Sequence, residues 1–108
     1  MFGLLALALV PPILAQTAQT VKITANKGSY SPNEIVLKKG VPVVLQLTSG
    51  DRAHGFNVPA WKVRADIKPG ETAEVKVTPP AVGEFSFYCD VFCGSGHEDM
   101  YGTFKVVD

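Results

Sequence analysis

Residues 83–108 read GEFSFYCDVFCGSGHEDMYGTFKVVD, and the fold is decided by how this closing segment is parsed. Phe85 and Phe87 frame Ser86 with a period of two, the pattern of a strand that buries one face. A second apparent strand runs from Gly102 to Asp108. Between the two, Cys89, Cys93, His97 and Met100 fall at the spacing Cys-x3-Cys-x3-His-x2-Met, and Gly94 and Gly96 permit the backbone turns that fold such a stretch around a centre. The segment therefore reads as strand, ligand-bearing loop, strand: a scaffold that presents chemistry on a loop.

Working outward, the same period recurs. Val21, Ile23 and Ala25 alternate with Lys22 and Thr24; Val43, Leu45 and Leu47 alternate with Gln46 and Thr48; Val75 and Val77 flank Lys76. Turn-forming clusters lie between them at residues 26–29, 39–40, 49–51, 69–70, 79–80 and 94–96. No apolar stripe of helical length interrupts the pattern. About seven or eight short strands at this spacing predict an all-β fold, a Greek-key β-sandwich or barrel. With 108 residues the chain has room for one core, which excludes a multidomain enzyme. Ten Lys and Arg against ten Asp and Glu leave no basic field for nucleic acid and no polybasic membrane patch.

Residues 2–15, FGLLALALVPPILA, carry no charge and end in Ile13-Leu14-Ala15, a serviceable small-residue cleavage site. Residues 1–16 are read as a secretory signal, with a short uncleaved anchor as the alternative, and residues 17–108 as a single domain. The Pro11-Pro12 break and a length short of the roughly 20 residues that cross a bilayer argue against a spanning helix, so no membrane span is expected in the mature chain. Export to the periplasm or beyond implies an oxidising compartment, in which two thiols tend to pair.

The scarce residues are concentrated. Apart from Met1, the chain has Cys89, Cys93, His97 and Met100 within twelve residues, and His54 lies 35 residues before Cys89 at a turn between two strands. Three readings compete. A Cys89–Cys93 disulfide suits the compartment but leaves His97 and Met100 unused. A closed zinc site of Cys89, Cys93, His54 and His97 would satisfy tetrahedral coordination yet leave Met100 idle. Copper accounts for thiolate, thioether and imidazole together.

The loop resembles the binuclear copper centre called CuA, found in subunit II of haem-copper cytochrome oxidases and in nitrous oxide reductases and housed in a cupredoxin fold. Cys89, Cys93, Gly94, His97 and Met100 match that family in type and spacing, and His54-Gly55-Phe56, Pro69-Gly70 and Met100-Tyr101-Gly102-Thr103 look like it as well. An ordinary blue-copper loop needs one Cys; the second is what separates the two classes. The resemblance implies two copper ions bridged by Cys89 and Cys93, each capped by one of His54 and His97. Met100 would be a weak axial ligand sharing a copper with His54, and the backbone carbonyl of Val91 would join His97. Val91 stands where the family usually has Glu or Gln, and Asp90 where Ser is common; an acid beside a bridging thiolate is expected to lower the potential or perturb the site.

That ligand set implies an electron carrier rather than an enzyme. No open coordination position remains, Ser95 has no catalytic partner and there is no third His. The expectation is a monomeric exported domain that exchanges electrons with a redox partner, a c-type cytochrome or a terminal oxidase, or serves as an accessory domain of an oxidase or reductase chain. Copper handling for the assembly of another cuproenzyme is the alternative. Asp90, Glu98 and Asp99, with Asp51 near His54, read either as an acidic rim for a basic cytochrome or as a merely solvated loop. Trp61 reads as packing or as an electron entry point.

Overall fold

The computed structural model describes residues 19–92 and 99–108. The expected signal, residues 1–16, and the loop residues Cys93 and His97 lie outside the described residues. Among the described residues nine strands form in chain order: β1 Gln19–Asn26, β2 Ser29–Ser31, β3 Glu34–Lys38, β4 Val43–Ser49, β5 His54–Val58, β6 Val63–Ile67, β7 Ala73–Val77, β8 Gly83–Tyr88 and β9 Tyr101–Val107, with a 3-10 turn at Pro59–Trp61. They make two sheets, β2-β1-β4-β7 and β3-β9-β8-β5-β6. The all-β sandwich expected from the period of two is what forms.

The alternation decides which face of each strand is buried. In β3, Ile35 and Leu37 are buried between exposed Glu34, Val36 and Lys38; in β9, Gly102, Phe104 and Val106 point inward. Ile23, Leu45, Leu47 and Ile67 meet Phe56, Phe87 and Phe104 between the sheets, all seven wholly inaccessible to solvent. The aromatic rings pack edge-on or tilted, with Phe87 and Phe104 centroids 4.7 Å apart and Tyr30 edge-on to Phe87 at 5.0 Å.

The described residues hold one strand more than the upper expectation. β2 is three residues long, too short for a period to register; it pairs with β1 through a two-residue turn in which Lys27 (φ 51°) and Gly28 (φ 78°) both take left-handed backbone. β5 also departs from alternation: His54, Gly55, Phe56 and Val58 are all buried. His54 and Phe56 face the core, so the burial of Gly55 on the other side needs a cover from outside the sheet.

Register positions the loop. β8 and β9 are antiparallel with Tyr88 opposite Tyr101, and the ladder continues one step further as the Cys89 N–H donates to the Met100 carbonyl at 3.2 Å. β5 is antiparallel to β8 with Asn57 opposite Tyr88. Followed past the end of β8, that register sets Asp90 across from Gly55 and Val91 across from His54.

Candidate metal centre

His54 opens β5, and its side chain enters the end of the core with 1% of the residue exposed. Its Nε2 is 2.7 Å from Asp51 Oδ1. Asp51 is itself fixed: its Oδ2 accepts the Lys27 N–H at 3.0 Å, and its own N–H donates to Ser49 Oγ at 3.2 Å. The hydrogen bond from His54, then the backbone N–H groups of Arg52 and Lys27, hold Asp51 well below the usual carboxylate range against the opposing effect of burial. An ionised carboxylate only accepts, so Nε2 carries a proton and is committed to Asp51, which leaves Nδ1 as the ring nitrogen that a metal would take. That Nδ1 is buried and has no hydrogen-bond partner among the described residues. Leaving such an atom unsatisfied costs about 1–3 kcal/mol, which a metal bound there would recover.

Cys89 is 3% exposed and Met100 is 1% exposed. The Cys89 Sγ accepts the Gly55 N–H at 3.2 Å and donates its thiol proton to the Val91 carbonyl at 3.1 Å. The next residue after His54 and the second residue after Cys89 are thus tied to one sulfur. Through these bonds and the Cys89–Met100 ladder, the structure brings His54, Cys89, the Val91 carbonyl and Met100 to one end of the sandwich. An imidazole nitrogen, a thiol, a thioether and a carbonyl oxygen form a donor set that suits copper. Cys93 and His97, the other two ligands implied by the resemblance, lie outside the described residues. Among the described residues no three His, Cys, Asp or Glu side chains gather into a metal-holding group.

Two residues of the expected acidic rim fare differently. Asp99 is exposed, whereas Asp90 is gripped by Arg64, whose Nε and Nη2 each donate to one of its carboxylate oxygens at 2.6 Å. This pairing holds Asp90 below the usual carboxylate range and raises Arg64 further above its own. The acid beside Cys89 is therefore a neutralised partner and not a bare charge. Asp51, too, faces inward to His54 as well as outward. Neither pairing follows from sequence spacing alone: Asp51 at three residues before His54 is a usable hint, but Arg64 lies 26 residues from Asp90 and carries no local signal.

Trp61 packs. Its ring stacks on Phe104 (5.2 Å, 23°) and tilts against Phe85, beyond the far end of β5 from His54. A cavity of about 400 Å³ beside it, lined by Lys62, Lys76, Thr78 and Pro80, has no lining residue in common with the metal-ligand candidates. Around the ligand-bearing end, Phe92 (82%), Tyr101 (61%) and Tyr88 (38%) are exposed aromatics that composition did not single out.

Comparison with known proteins bears on the family and the fold. The chain is 37% identical over 87 residues to cytochrome c oxidase subunit 2 of Thermus thermophilus, covering 81% of the chain and 64% of the subunit. It is 40% identical over 85 residues to nitrous-oxide reductase of Cupriavidus necator, covering 75% of the chain and 13% of that enzyme. The chain thus spans less than two thirds of the length of either. Its fold matches the periplasmic domain of subunit II of cytochrome oxidase from Bradyrhizobium japonicum with a TM-score of 0.77 at 24% identity, covering 83% of the chain and 84% of that domain. The resemblance to subunit II and to nitrous oxide reductase, legible in the loop, is borne out. The cupredoxin-like domain family matches residues 1–104, and the chain belongs to that family.

Proposed function

We propose that this chain is an exported electron-transfer domain, residues 17–108 after a signal at 1–16, in which His54, Cys89, the Val91 carbonyl, Cys93, His97 and Met100 hold two copper ions as a binuclear CuA centre. The observation that carries the reading is the buried His54 Nδ1: Asp51 fixes the tautomer from the other side of the ring, and no described group takes its lone pair. Copper held by these ligands would supply a one-electron couple. The chain's part is to keep those ligands still and dry. Met100 and Cys89 are buried, His54 is oriented by a carboxylate, and Cys89 is fixed by the Gly55 N–H. Loading requires the thiol proton now directed at the Val91 carbonyl to leave, so copper uptake should release protons and weaken as pH falls.

The likeness to oxidase subunit 2 and to nitrous-oxide reductase supports an electron-carrying role, with a c-type cytochrome or a terminal oxidase as partner. No helix among the described residues is long and apolar enough to cross a membrane. The test is metal analysis with visible and paramagnetic resonance spectra of the copper-loaded chain. Two coppers per chain, a purple colour and a seven-line pattern are expected; one copper with a blue spectrum would overturn the binuclear assignment. Ready transfer of copper to an apo-oxidase domain, with slow electron exchange, would replace the electron-transfer role by copper handling.

A further inference from the structure

Gly55 sits on the outward side of β5 and is nevertheless buried. Its cover is Asp90: a Cβ added at position 55 would collide with Asp90 Oδ1 and lie 3.0 Å from the Asp90 backbone nitrogen. The polar groups of Gly55 are used as well, its N–H on Cys89 Sγ at 3.2 Å and its carbonyl accepting the Tyr30 hydroxyl at 2.7 Å. The carboxylate that lies over it is held by Arg64 of β6 through two bonds of 2.6 Å, while the third arm of the guanidinium donates to Asp66 at 2.9 Å.

We propose that Arg64 and Asp90 are a lock that positions the stretch from Cys89 to Val91 against Gly55, and through it the Cys89 sulfur and the Val91 carbonyl. The metal side of this inference rests on the proposed function; the lock itself does not. Asp90 is flanked on both sides by candidate ligands, so fixing its carboxylate fixes the two peptide units that carry them. A planar two-bond fork constrains orientation where a single ammonium contact would not. The glycine is part of the device, because any side chain at position 55 would fill the space Asp90 occupies. The pair is partly exposed, Arg64 at 42% and Asp90 at 18%, so it adds little to overall stability, and its effect is local geometry.

The test compares Arg64→Gln, Arg64→Lys and Asp66→Asn in the full chain. In the metal-free protein, hydrogen exchange of the Gly55 and Cys89 amides should quicken about ten-fold or more in Arg64→Gln, while Leu45 in β4 is unchanged. Arg64→Lys keeps the charge and loses the fork, so it should behave like Arg64→Gln; Asp66→Asn leaves the lock intact and should behave like the parent. In the copper-loaded protein, both Arg64 variants should shift the visible spectrum and the potential and weaken metal retention by roughly ten-fold or more, with a nearly unchanged melting temperature. Parental exchange at Gly55 and Cys89 in Arg64→Gln, or equal loosening in Asp66→Asn, would overturn the lock. So would a loosening spread over the whole sheet with a matching fall in melting temperature, since Arg64 would then be a general stabiliser. If the parent chain takes up no copper, the proposed function fails, while exchange in the metal-free protein still decides the lock.

Discussion

At the scale of single residues, the candidate ligands differ in what their removal should do. His54 presents a buried Nδ1 aligned by Asp51, so His54→Ala removes a strong donor and leaves the Asp51 carboxylate without its imidazole. Copper retention should fall by at least about ten-fold, read by competition with a chelator. Met100→Leu conserves volume at a buried position and removes only a thioether; it should keep both coppers and raise or shift the potential. Equal copper loss in the two variants would contradict the assigned strengths. Val91→Ala should leave the spectrum almost unchanged, because the proposed ligand is a main-chain oxygen. The candidate ligands were legible in the sequence because soft donors are scarce and their spacing within one loop is local. Their supports were not: Arg64 and Gly55 reach Asp90 only through the pairing of β5, β6 and β8, a contact between distant parts of the chain that no spacing encodes.

At the scale of elements, the strands that buried one face were readable, since side chains two apart share a face and the apolar set marks it. β2 was not, because three residues give no period, and β5 hid its alternation behind the loop that covers Gly55. The pairing of β8 and β9 supplies a test. A Cβ at Gly102 would strike the Phe87 ring and come within 2.8 Å of the Asn33 carbonyl, which accepts the Thr103 N–H that starts the β3–β9 pairing. A backbone atom cannot rotate away. Gly102→Ala should therefore cost about 1–3 kcal/mol, seen as a lower urea midpoint at an unchanged slope for the metal-free chain. Because Tyr101 and Gly102 directly follow Met100, the same substitution should also disturb the copper spectrum, whereas Leu45→Ala, in the other sheet, should cost about 2–5 kcal/mol and leave that spectrum alone.

At the scale of the whole molecule, formal charge is zero, so association with the proposed redox partner depends on how charge and apolar surface are distributed around the end that carries the candidate ligands. That end shows Phe92, Tyr101 and Tyr88 together with exposed Asp99, while Asp90 has been withdrawn into its pairing with Arg64. Two contributions to docking can then be separated. Charge acts over about 8 Å at physiological ionic strength and fades as salt rises, whereas apolar contact does not. With a reduced basic c-type cytochrome, changing Glu98 and Asp99 to Lys should slow electron uptake several-fold at low salt, and the difference from the parent should vanish near 1 M salt, where screening reaches about 3 Å. Phe92→Ser should slow uptake at both salt concentrations, and both variants should keep the parental spectrum, since none of these side chains is a proposed ligand. A lysine variant that matches the parent at every salt concentration would make the acids a solvated loop and leave docking to the aromatic surface alone.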